Sequence, residues 1–169
     1  MWNEQIIMML LEGIKDTLYM TLTSTLIGYV IGLPMGILLT VTDKDGIHPN
    51  AAVYKVLDVI ANLIRSVPFL ILLIVLIPFT RFLIGRSYGP TATIVPLVIA
   101  AAPYIARMVE SSLKEVDAGV IEAARSMGAS NFTIVTKVML VEARTSLIVG
   151  ATTVSYTHLR AHETDSYLV

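Results

Sequence analysis

From Thr17 to Val41 the chain runs for 25 residues without an Asp, Glu, Lys or Arg. As an α-helix such a run is roughly 37 Å long at about 1.5 Å per residue, enough to cross a bilayer with some tilt. Backbone groups in hydrocarbon must find their hydrogen bonds inside the segment, so a helix is the form this run can take there. Apolar character returns from Val59 to Thr80, interrupted near its start by Asn62 and Arg65, and again from Ser87 to Ala106 without a charge. A fourth apolar run begins near Val138 and is dotted with Glu142 and Arg144. The predicted fold is all-α: a polytopic transmembrane helical bundle with three complete spans, at about 17–41, 59–80 and 87–106, and the start of a fourth from about 138.

Composition agrees with a bilayer as solvent: 55% of residues are hydrophobic, 15% are charged and the mean hydropathy is +0.75. The 12 Lys and Arg nearly cancel the 13 Asp and Glu, and no basic run is present to neutralise phosphates, which argues against a nucleic-acid partner. The absence of cysteine excludes disulfides, thiolate metal sites and a Cys nucleophile. The opening residues carry Glu4, Glu12 and Asp16 and lack a basic region followed by a cleavage site, so they do not read as a removable signal. The first span is expected to serve as the insertion signal.

Orientation follows from where Lys and Arg lie near span ends. With the N-terminus outside, Lys44, Lys55, Arg107, Lys114, Arg125 and Lys137 fall on the inner side and Lys15, Arg81 and Arg86 on the outer. The first loop and the polar stretch from Arg107 to Lys137 are therefore expected to be cytoplasmic.

The spans contain packing devices. Gly28, Gly32 and Gly36 recur every four residues and place three positions without side chains on one helix face. Two readings are open: close packing within the subunit, or a rocking interface along a pathway. Pro34 should kink the first helix, and Pro68, Pro78, Pro96 and Pro103 should interrupt the second and third spans and free backbone carbonyls.

The most informative stretch is Glu115 to Val141. Val116, Val120, Ala124 and Met127 form an apolar stripe at helical spacing, with Glu115, Asp117, Glu122 and Arg125 off it. Gly128 permits a positive φ at a helix end, Ser130 can cap the next helix, and Phe132, Val135 and Met139 continue at i, i+3 and i+7. A helix, a sharp turn and a second helix are predicted over about 115–137. Such an elbow can seat its exposed face in a groove of a soluble partner, or it can be an interfacial connector.

Glu122-Ala123-Ala124, three residues and then Gly128 resembles the EAA signature of binding-protein-dependent ABC importer permeases. The family pattern continues nine residues later with an aliphatic residue, any residue, Leu and Pro, where this sequence has Val138, Met139, Leu140 and Val141. Valine thus stands where the family has proline. The resemblance implies that the elbow is a coupling helix held by a cytoplasmic ABC ATPase subunit, with Glu122, Ala123, Ala124, Gly128, Val138 and Leu140 as its ATPase-coupling residues. Segments such as GLPMGILLTVT and GPTATIVPLVIAAAPYIARMVE look like the methionine-import branch of that family, over roughly residues 1–154. That branch implies a type I importer permease of five spans that works as a homodimer in the bacterial inner membrane. It also implies a periplasmic or lipid-anchored substrate-binding protein and D- or L-methionine as cargo. Another amino acid or small solute is the alternative. Met8, Met9, Met20 and Met35 could give a thioether soft contacts, or simply fill core space.

No GxxxxGK[ST] pattern occurs, so the chain is expected to be a transport subunit and not an enzyme, binding no cofactor, with ATP and Mg on the partner ATPase. HExxH, GxSxG and Cys are likewise missing, and His48 is the only histidine before the tail, so no catalytic or metal residue is assigned. A passive channel or scaffold is the competing class, separated from a transporter by whether an ATPase binds. From Ser155 to Val169 the apolar pattern gives way to SYTHLRAHETDSYLV, which resembles translated adaptor or frameshifted sequence. Residues 1–154 are therefore read as a partial permease domain and 155–169 as a non-native tail, whose His158-x-x-x-His162 spacing lacks further ligands for a metal. Finally, Arg65 is expected to snorkel to the interface, and Arg107 and Glu110, three apart, to pair on one helix.

Overall fold

The computed structural model describes residues 4–154; the polar tail and its two histidines lie outside them. Eight segments succeed one another: α1 (Glu4–Thr42), α2 (Ala51–Ser66), α3 (Phe69–Ile84), α4 (Pro90–Lys114), α5 (Ala118–Ser126), α6 (Asn131–Thr133), a π-helical turn (Ile134–Met139) and α7 (Leu140–Glu142). Residues 144–154 are again helical, and no strand occurs among the described residues. The architecture is the expected all-helical bundle.

Two helices, α1 and α4, are each long and apolar enough to cross a membrane. They form the central pair, and the glycine repeat explains how. Gly28, Gly32 and Gly36 are all buried, and a Cβ at Gly32 would meet the Ala102 carbonyl oxygen at 2.7 Å and the Ile105 Cβ at 2.8 Å. Backbone therefore lies nearly against backbone along this face. Pro34 is carried inside α1 without ending it.

The second apolar run is not one straight span. It is divided between α2 and α3, which meet at a bend of 109°. Val67 adopts φ −85° and ψ 126°, the extended conformation that a following proline imposes, and Pro68 has no N–H to continue the ladder. α2 is amphipathic, whereas α3 is apolar nearly throughout. The third span also differs from expectation. α4 runs on to Lys114, so Arg107, Glu110 and Lys114 belong to the same helix as Pro96 and Pro103 and not to a separate polar segment.

One apolar core joins the spans to the elbow. Ala101, Ile105, Val109 and Leu113 of α4 continue into Ala124 of α5, Ile134, Val135 and Met139 of the π turn, and Val154. Tyr29, Leu33, Ile37 and Val41 close it from α1. A smaller cluster of Met20, Ile94, Leu97 and Val98 sits toward the other end with Phe69 against it.

Candidate functional site

The elbow is built by local capping. Asp117 precedes α5 and its carboxylate accepts the Gly119 N–H at 2.8 Å. At the far end the Gly128 N–H donates to the Arg125 carbonyl at 3.0 Å and the Ala129 N–H to the Ala124 carbonyl at 3.1 Å, with Gly128 at φ +80°. These paired bonds are a Schellman closure, which needs a left-handed residue where only glycine is unstrained. Ser130 then starts the next helix, its hydroxyl oxygen accepting the Thr133 N–H at 3.3 Å. After one helical turn the chain widens into the π-helical turn, a form that occurs mostly as single-turn bulges within α-helices and frequently at functional sites.

Within the elbow, Ala124 is buried in the core while Glu122, Ala123 and Gly128 are exposed. The apolar stripe read from spacing is only partly inward. Val116 lies before α5 begins and is half-buried, whereas Val120 is exposed and Met127 is 81% exposed. Phe132 is 77% exposed, although Val135 and Met139 at its helical spacing are buried. Met127 and Phe132 therefore flank the Gly128 turn as large apolar side chains on the outside of the fold, a presentation suited to a partner surface. Val138 and Leu140 are partly buried against the core and Val141 is 49% exposed. With valine in place of proline, backbone continuity is kept: residues 140–142 are α-helical and the helix resumes at 144.

Behind the elbow stands an ionic cluster. The expected Arg107–Glu110 pair is present at 2.7 Å, but it is one part of a larger arrangement. Arg107 also reaches Asp58 of α2 and donates to the Asn62 side-chain oxygen at 3.1 Å. Lys114 lies 2.8 Å from Glu110 and 2.6 Å from Asp43, the residue just after α1. The Tyr54 hydroxyl donates to Glu110 at 3.3 Å, and the Lys114 ammonium sits 5.9 Å from the centre of the Tyr54 ring. Lys114 holds the Asp43 carboxyl below its ordinary value, against a smaller opposing effect of burial. Of this cluster, sequence spacing points only to Arg107 and Glu110. The signal for the rest is Tyr54, Asp58 and Asn62 at i, i+4 and i+8, one polar face of α2.

The elbow is tied to the first loop as well: Arg125 donates to the Ile47 carbonyl at 3.4 Å. A cleft of about 570 Å³ opens between that loop and α5, lined among others by Asp43, Lys44, Lys114, Ile121, Glu122 and Arg125. Arg65, expected to snorkel, is exposed at the end of α2. Of the four methionines weighed for soft contacts, Met20 is buried and Met8 and Met9 are 62% and 73% exposed, so they do not share one environment. Among the described residues no group of His, Cys, Asp and Glu is arranged to hold a metal.

The pattern of the family described as binding-protein-dependent transport system inner membrane component matches residues 7–157. The D-methionine transport system permease protein MetI of Salmonella typhimurium is 49% identical over 150 residues, covering 89% of this chain and 69% of that protein. The protein of the same name from Escherichia coli K12 matches at the same identity and coverage. Among solved structures, the MetNI methionine ABC transporter in an inward-facing conformation superposes with a TM-score of 0.93 at 45% identity, covering 99% of this chain and 77% of that one. An amino acid ABC transporter with histidines shares the fold at a TM-score of 0.69 and 24% identity, over 90% of this chain and 68% of that one. With the family pattern spanning the helices, the glycine-packed pair and the elbow alike, this chain belongs to the binding-protein-dependent transport system inner membrane components.

Proposed function

We propose that the chain is the permease subunit of a methionine ABC importer of the bacterial inner membrane and that its elbow, with Glu122, Ala123, Ala124 and Gly128 at its centre, seats on a cytoplasmic ATPase. The observation that carries the reading is the exposed pair Met127 and Phe132 on either side of a rigid Gly128 turn, set on a core continuous with α4. An exposed apolar knob on a capped turn suits the groove of a partner. Its connection to α4 through Leu113, Ala124, Ile134 and Met139 gives displacement of the knob a route into the spans. The relatives named for methionine transport support the choice of cargo.

ATP and Mg are then bound and used on the partner, since this sequence has no phosphate-binding loop of its own. Nucleotide can drive the spans only through different affinity for their inward and outward arrangements. A second copy of the chain completes the pathway, and a substrate-binding protein delivers the solute on the outer face. The test is uptake of labelled methionine by cells lacking other methionine importers, with this chain co-expressed with the ATPase and binding protein of a methionine importer. Uptake that needs the ATPase supports the reading. Uptake that persists without it, or none with every subunit present, contradicts it.

A further inference from the structure

Among the described residues Glu110 is the only charged residue that is buried, with 5% of its surface exposed. A buried carboxylate persists where cations and donors surround it, and this one has both. One oxygen takes Arg107 at 2.7 Å; the other takes Lys114 at 2.8 Å and the Tyr54 hydroxyl at 3.3 Å. Each cation in turn holds a second carboxylate on a different element: Arg107 holds Asp58 of α2, and Lys114 holds Asp43 at the inner end of α1 at 2.6 Å. Arg107, Glu110 and Lys114 lie at i, i+3 and i+7 on one face of α4, and Lys114 is its last residue before the elbow.

We infer that Glu110 is a positioning residue that clamps the inner ends of α1, α2 and α4 into one block, so that movement of the elbow reaches all three together. The inference rests on the reading of the elbow as the ATPase contact. The apolar core alone would not do this. Dispersion contacts are non-directional and let helices slide by small steps, whereas the Arg107–Asp58 and Lys114–Asp43 ion pairs, with both cations oriented by the Glu110 carboxylate between them and Tyr54 of α2 donating to it, fix register and rotation at once. The position of the clamp matters equally. It occupies the last two turns of α4, up to the point where the helix hands over to the elbow, so a displacement is shared among the elements before it enters the membrane. Removing the charge of Glu110 leaves Arg107 tied to Asp58 and Lys114 tied to Asp43 but no longer oriented by a shared carboxylate, so the ties of α4 to α2 and to the end of α1 loosen independently.

Glu110→Gln keeps the size, removes the charge and replaces one of the two accepting oxygens with an NH2 donor. In the complex with an ATPase subunit and binding protein, we expect the variant to retain the ATPase in a detergent pull-down and to hydrolyse ATP within twofold of the parent. Methionine moved per ATP should fall about tenfold, with partial rescue by Glu110→Asp. A second measurement does not depend on the cargo. The chain has no native cysteine, so spin labels can be placed at Ala51→Cys on α2 and Ser126→Cys on α5, both exposed, in subunits diluted with unlabelled chain. The parent should give one narrow distance that ATP leaves unchanged, and Glu110→Gln a broad one. A narrow, parent-like distance in the variant overturns the inference, as does an unchanged ratio of methionine to ATP or a loss of uptake that tracks loss of the ATPase. A parent complex that moves no methionine but keeps the narrow distance overturns the proposed function and leaves the clamp standing.

Discussion

A Cβ placed on Gly32 would lie 2.8 Å from the Cβ of Ile105, inside the distance at which two such atoms can sit. The α1–α4 pair is therefore defined by what Gly32 lacks. Gly32→Val should force the two helices apart and destabilise the solubilised protein by about 1–3 kcal/mol, the usual range for overpacking. Gly13→Ala, at a position of the same helix where nothing lies within 4 Å, is the control and should be neutral or slightly stabilising. Thermal unfolding in detergent checks both.

Features set by local chemistry are readable in the sequence. The Gly128 turn and the Ser130 cap depend on residues within a few positions of one another, and the glycine repeat is a plain period of four. The polar end of α4 is not readable. Hydropathy treats Arg107, Glu110 and Lys114 as wanting water, yet Arg107 and Lys114 are met by Asp58 and Asp43, which are distant in sequence, and Glu110 by those two cations. The break at Val67–Pro68 is signalled by the proline, but not that it bends the run through 109°. Periodicity groups Val120, Met127 and Phe132 with apolar neighbours but leaves their exposure open, because it reports that apolar residues recur at helical spacing and not which of them look into the core.

Gly128 carries a φ of +80°, a conformation that costs a β-branched residue about 1–2 kcal/mol. Gly128→Val should still insert into the membrane and fold its spans, but uncouple ATP hydrolysis from uptake. Gly128→Asn should keep most uptake, since asparagine visits this conformation more readily. Parallel assays of membrane yield, ATPase activity and methionine uptake separate these effects, and normal uptake by Gly128→Val would count against the role of the turn.

The Lys114 hydrogen bond keeps the Asp43 carboxyl below its ordinary value of 3.8. A carboxyl with a lowered value in the folded state stabilises fully above its unfolded value and loses that contribution as pH falls through the lowered one. The parent should therefore exceed Asp43→Asn in melting temperature at neutral pH, and the gap should narrow only below about pH 4. Melting curves of both proteins between pH 7 and pH 3 provide the measurement. A gap that is constant down to pH 3 would remove the charge from the explanation.

Met127, 81% exposed beside Gly128, is the position that reports whether the outside of the elbow meets a cytoplasmic ATPase. With no native cysteine, Met127→Cys provides a single thiol. In cells co-expressing the ATPase subunit, a thiol-anchored photo-cross-linker at this position should join the two proteins in good yield, while an impermeant thiol reagent added outside intact cells should leave the residue unlabelled. Labelling of Cys at position 127 from the periplasmic side, with no cross-link to the ATPase, would contradict the account.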